Sequence, residues 1–154
     1  MNNLELKAHV IGLGLTAQEG AEISGMQKRN FNYLQDGSVA VKQDVEMKFF
    51  LMASHYTLVL DKMLADVEKA TVHNENDQTK PSTVKPVLPF FYSFESFQMT
   101  TECPHVTYWR IYQAVISHLI LIGKITKLDD SAEIPSDFGI WKWLKGGYEH
   151  KQLH

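Results

Sequence analysis

Apolar residues return every three or four positions through most of the chain, the spacing that places them along one side of a helix. In residues 4–13, Leu6, Val10 and Leu13 mark such a side, and Gly12 and Gly14 end the pattern. Thr16 follows as an N-cap, with Glu19 three residues on to complete a reciprocal capping box. A second helix is predicted over 17–24, stopped by Gly25, and a third over 27–35, closed by "QDG" with Gly37 placed for a left-handed turn. From residue 42 to about 71 there is neither proline nor glycine, and Val45, Phe49, Met52, Tyr56, Val59, Met63 and Val67 recur at helical steps. This predicts one long amphipathic helix, or two nearly collinear ones. Its stripe exceeds what one small domain usually needs, so part of it is expected to pack against a second copy or against the C-terminal half.

The pattern breaks at "HNENDQTKPSTVKP", a polar stretch with two prolines that reads as a loop or linker. Beyond it the composition shifts, since twelve of the seventeen aromatic residues lie between Phe90 and Tyr148. "VLPFFYS" predicts a short strand or extended segment, and Ser93 caps a short helix holding Phe94 and Phe97. The clearest element of this half is a helix over 107–122 with Ile111, Val115, Leu119 and Ile122 on its face, followed by a short helix or turn over 138–144 that presents Trp141 and Leu144. The expected fold is mainly α: a bundle with a long helix over 1–72, a polar linker over 73–86, and an aromatic-rich helical extension over 87–154 packed on the first part.

A hydrophobic content of 44% supports a packed core, and a net charge of −3 argues against a polycation that coats nucleic acid or membrane. Any electrostatic binding must therefore come from a local patch. Such a patch exists: from Met26 to Lys42 three basic residues face one acidic one. Arg29, Asn32, Tyr33 and Asp36 lie opposite the apolar anchors Phe31 and Leu34 on the third helix, with Gln27 and Lys28 at its exposed start. Arg and Lys match the paired acceptors of guanine, and Asn and Gln match the acceptor and donor of adenine. A solvated polar face would use the same residue types.

The interval from Thr16 to Gly37, with Ala21, Gly25, Met26, Phe31, Leu34 and the closing "QDG", resembles the phage-repressor or Xre type of helix-turn-helix. That resemblance implies a lambda-repressor-like bundle whose second helix of the pair enters the major groove of double-stranded DNA. It carries the recognition positions onto Gln27, Lys28, Arg29, Asn32 and Tyr33, with Lys42, Lys7 or helix N-termini left to hold phosphates. Such repressors often carry Gln where Ala17 stands, a large aliphatic residue where Gly20 stands, and an aliphatic one at Ser24; Gly20 in a helix interior costs roughly 1 kcal/mol. More of the chain is similar to the YdiL-like family of small bacterial proteins, which begin with a repressor-like bundle, continue into a long helix, and end with a segment like "FQ" followed by "YWRIYQAV".

The function expected from these readings is sequence-specific DNA binding by a homodimeric transcriptional regulator, without enzymatic activity, cofactor or metal. The alternative is a protein-interaction module, antitoxin-like or adaptor, anchored on a partner by exposed Tyr33, Trp109, Trp141 or Trp143. Other candidates point to ordinary roles. His150 and His154 share a one-turn spacing in a terminal tail, His118 reads as a core or rim residue, Asp129, Asp130 and Glu133 as a solvated acidic loop, and the aromatic cluster as core or dimer interface. Cys103 has no second cysteine for a disulfide and no base at motif spacing, and no charged-then-apolar leader follows Met1, which points to the cytoplasm. The apolar run "IYQAVISHLILIG" falls short of the roughly 20 residues that cross a bilayer.

Overall fold

The computed structural model describes residues 1–74 and 82–149, and the chain is mainly helical. Helices α1 (Asn3–Gly12), α2 (Ala17–Ser24), α3 (Lys28–Gln35) and the long α4 (Gln43–Ala70) come first. Short strands β1 (Val72–Asn74) and β2 (Ser82–Val84) follow, then α5 (Phe94–Thr101), α6 (Val106–Leu121), α7 (Gly139–Lys142) and a π-helical turn, Trp143–Gly147. Two compact units, Met1–Thr57 and Leu58–His154, divide the chain inside α4.

Local chemistry explains the first unit's elements. Asn2 caps α1 and Thr16 caps α2, each in a full capping box with the glutamate three residues on. The core of this unit is Leu6, Val10, Leu13, Ala21, Phe31, Leu34, Val45, Phe49 and Met52. Asn3 ties α3 to the chain that leaves it, its Nδ2 donating to the carbonyls of Leu34 and Val39 at 2.7 Å each.

In the second unit the stripe of α4 continues through Val59, Met63 and Val67, all buried within this single chain. Asp66, on the same helix, accepts hydrogen bonds from the backbone N–H groups of Gly139 (2.8 Å) and Ile140 (3.0 Å), and so caps α7 from a distance. Where a loop was expected, β1 and β2 pair antiparallel with Val72 opposite Val84. Residues 75–81 of the polar stretch lie outside the described residues, as do His150 and His154.

The segment "VLPFFYS" makes one bridge, Leu88 to Leu128, and is otherwise held by side chains. The hydroxyl of Tyr112 donates to the carbonyl of Pro89 at 2.6 Å, while Trp109 Nε1 (2.7 Å) and Gln113 Nε2 (3.0 Å) both donate to that of Phe91. From the other side the Asp130 carboxylate accepts the N–H groups of Phe90, Phe91 and Tyr92 at 2.7, 2.8 and 3.1 Å. Phe91 stands at φ +57°, a left-handed conformation that a phenylalanine holds only when its surroundings over-determine it. Asp130 is an exposed residue, as the acidic-loop reading expects, and its carboxylate in addition gathers three consecutive amides.

Asp130→Ala removes all three acceptor contacts at once. It is expected to destabilise the chain by about 1 to 2 kcal/mol, with Asp130→Asn costing less because one carbonyl oxygen remains. Denaturant unfolding followed by tryptophan fluorescence checks this, and equal stability of both variants with the parent counts against it.

Candidate nucleic-acid interface

The α2–α3 corner is built by two backbone requirements. Gly25 ends α2 at φ +69°, where a side chain is strained, and its conformation lets Met26 N–H return to the carbonyl of Ala21 at 3.0 Å. Gln27 is the extended residue before α3 and provides no side-chain cap. At the far end Asp36 accepts from Ser38, whose hydrogen bonds hold the Asp36 carboxyl below the usual range.

The docking of α3 depends on a residue that the sequence marks as a defect. A Cβ on Gly20 would stand 2.4 Å from Cε1 and Cζ of Phe31, so the bare Cα of Gly20 is the seat of that ring. Phe31 is fully buried and stacks on Phe49 with ring centres 6.3 Å apart and planes 10° from parallel. Large volume at position 31 thus replaces the aliphatic side chain missing at position 20. Ser24, also at an expected aliphatic position, is buried with its hydroxyl donating to the Gly20 carbonyl at 2.7 Å.

With Phe31 and Leu34 inward, Lys28, Arg29, Asn32 and Tyr33 are exposed on α3, and Gln27 is exposed just before it. Arg29 Nε donates to the Tyr33 hydroxyl at 3.1 Å, and its guanidinium carbon lies 5.9 Å from the tyrosine ring centre. Lys42 is exposed and lines a cleft of about 420 Å³ together with Asn30, Tyr33, Met26 and Asp44. Lys7 is exposed on α1. Asn30 and Lys48 were missed from sequence: Asn30 is exposed in the cleft wall, and Lys48 Nζ sits against the corner, 3.6 Å from where a Cβ on Gly25 would be. Lys48 belongs to α4, so no reading confined to the helical pair finds it.

Two interaction anchors named from the sequence are not available on the surface. Trp109 is 7% exposed with its indole N–H on Phe91, and Trp143 is 3% exposed, packed against Tyr108 and Tyr148. Trp141 is half-buried beneath Lys145, whose Nζ lies 4.9 Å from its ring. Cys103 is buried, and burial pushes its thiol above the ordinary value. His118 is half-buried on α6. Among the described residues no cluster of His, Cys, Asp and Glu has an arrangement that holds a metal ion, and no helix is long and apolar enough to cross a membrane.

The sequence pattern of the Aca2/YdiL-like family matches residues 1–125. The chain belongs to the Aca2/YdiL-like family. The match takes in α1 through α6, so the Aca2/YdiL-like pattern spans both the exposed face of α3 and the "YWRIYQ" residues that hold the 89–91 backbone. Residues beyond 125, including Asp130 and α7, lie outside it. No curated protein matches the chain.

The seat for Phe31 sets a sign that helix propensity alone gets wrong. Gly20→Ala should gain roughly 1 kcal/mol of propensity yet lose roughly 1 to 3 by overpacking, leaving the protein less stable. In a Phe31→Leu background the same change should be neutral or stabilising. Urea denaturation of the four-member cycle reads this directly, and a stabilised single Gly20→Ala variant would refute the packing argument.

Proposed function

We propose that the protein is a sequence-specific DNA-binding transcriptional regulator of the Xre helix-turn-helix type, reading the major groove through α3. Gln27, Arg29 and Asn32 would meet base edges. Lys28, Tyr33 and Lys42 would serve phosphates or flank the bases. One observation carries the reading: an eight-residue helix is fixed by two buried anchors, Phe31 and Leu34, while its polar and basic side chains are exposed. Groove readout needs that combination, because base contacts are worth their energy only when the side chains approach at a set register. Lys48 beside the corner adds local positive charge in a chain of net −3.

The acting species in this reading is a homodimer, so the operator is an approximate palindrome with half-sites about one helical turn apart. A second reading, a protein-interaction module, draws on apolar side chains left open in the first unit: Leu4 (78% exposed) and Ile11 (70%) on α1, and Met47 (63%) and Phe50 (52%) on α4. That apolar surface is also of the kind a dimer covers.

Selection of duplexes from a random pool at moderate salt tests the proposal. The parent chain is expected to enrich a palindrome. Arg29→Ala should weaken specific binding by roughly 1 to 3 kcal/mol and relax one base position, whereas Lys42→Ala should weaken all sequences alike and lower the salt slope by about 1. No enrichment at any salt, or equal losses on all sequences from both variants, contradicts it.

A further inference from the structure

Arg29 and Tyr33 stand one turn apart on α3, both at the surface, and they are joined: Nε–H of Arg29 donates to the Tyr33 hydroxyl at 3.1 Å. The tyrosine is the steadier partner. Its ring forms part of the cleft wall with Asn30, Leu34 and Lys42 and is 36% exposed, so contact along one side restricts the swing of its hydroxyl. A guanidinium carries five N–H donors in a planar fork, and it grips paired acceptors either through Nε and one Nη or through both Nη atoms. With Nε already engaged, only the end formed by the two Nη atoms is left for a ligand.

We propose that Tyr33 is a positioning residue that commits Arg29 to end-on, bidentate recognition of a guanine in the major groove. This rests on the DNA-binding reading above and narrows it. Guanine alone offers two adjacent acceptors, N7 and O6, on its major-groove edge; adenine pairs an acceptor with a donor, thymine offers one acceptor, and cytosine offers a donor. The clamp also removes side-chain freedom before the DNA arrives, so less is lost on binding. The Tyr33 oxygen accepts from Arg29, which leaves its own proton to donate to a neighbouring phosphate or base acceptor.

Tyr33→Phe deletes the acceptor and keeps the ring, so it separates clamping from packing. The full chain, its Tyr33→Phe variant and its Arg29→Ala variant are compared on the selected duplex and on the same duplex with the Arg29-dependent guanine changed to adenine. Melting temperature serves as the folding control, and water exchange of the Arg29 Nε–H is followed by NMR in the free proteins. The expected result is an unchanged melting temperature, faster Nε–H exchange, and a three- to tenfold (about one hydrogen bond's) loss of affinity for the guanine duplex with little change on the adenine one. If Tyr33→Phe discriminates the two duplexes as the parent does while Arg29→Ala does not, the positioning role is overturned and DNA reading stands. If the parent enriches no duplex at all, both the DNA reading and this inference fail.

Discussion

The contact between the Phe31 ring and the bare Cα of Gly20 fixes where α3 lies. An α3 of this length has too few internal hydrogen bonds to hold itself, since helices shorter than about 12 to 15 residues are marginal alone in water. Its position comes from two side chains, Phe31 and Leu34, and Phe31 is held between Gly20 on α2 and Phe49 on α4. The loose start at Gln27, which lacks a cap, is tolerated because of that anchorage. The polar outer face inherits its order from the packing beneath it, and the Arg29–Tyr33 bond extends that order out to a charged side chain.

A comparable economy organises the second unit by different means. An irregular stretch at 88–92, with a left-handed Phe91, is held between side chains of α6 and the Asp130 carboxylate. Tyr108, Trp143 and Tyr148 form another cluster with His105, and the Tyr148 hydroxyl is pushed up to about 12 chiefly by desolvation. The polar atoms of Trp109 and Tyr112 are thus engaged by backbone carbonyls, which is how such residues are accommodated in a core. Trp109 and Trp143 are both buried and are lost as surface anchors.

Local signals in the sequence were legible. Thr16 with Glu19, the left-handed Gly25 and Gly37, Ser93 as a cap, and the stripe from Val45 to Val67 each act within one or two helical turns, and each is in place. The exposure of Gln27, Lys28, Arg29, Asn32 and Tyr33 followed from the same periodicity. What escaped depends on pairs distant in sequence. Gly20 reads as a cost until Phe31 is known to occupy its space; the exposed Asp130 shows no sign in sequence of the Phe90 to Tyr92 amides it accepts; Lys48 reaches the corner from another helix. The Val72–Val84 pairing escaped because polar residues surround both strands and no alternation betrays them. Single-residue propensity holds no record of such compensation, so the fold's elements were readable and their mutual fit was not.

The most direct test of this account is native-state hydrogen exchange resolved at individual amides. If packing on Gly20 holds α3, the Phe31 and Leu34 amides should exchange with the same free energy as those of Leu6 and Val10 in α1, by opening of the whole unit. Exchange of the α3 amides through a separate, low-energy opening, while α1 stays protected, would contradict it: α3 would then be a frayed segment and its outer face no fixed surface at all.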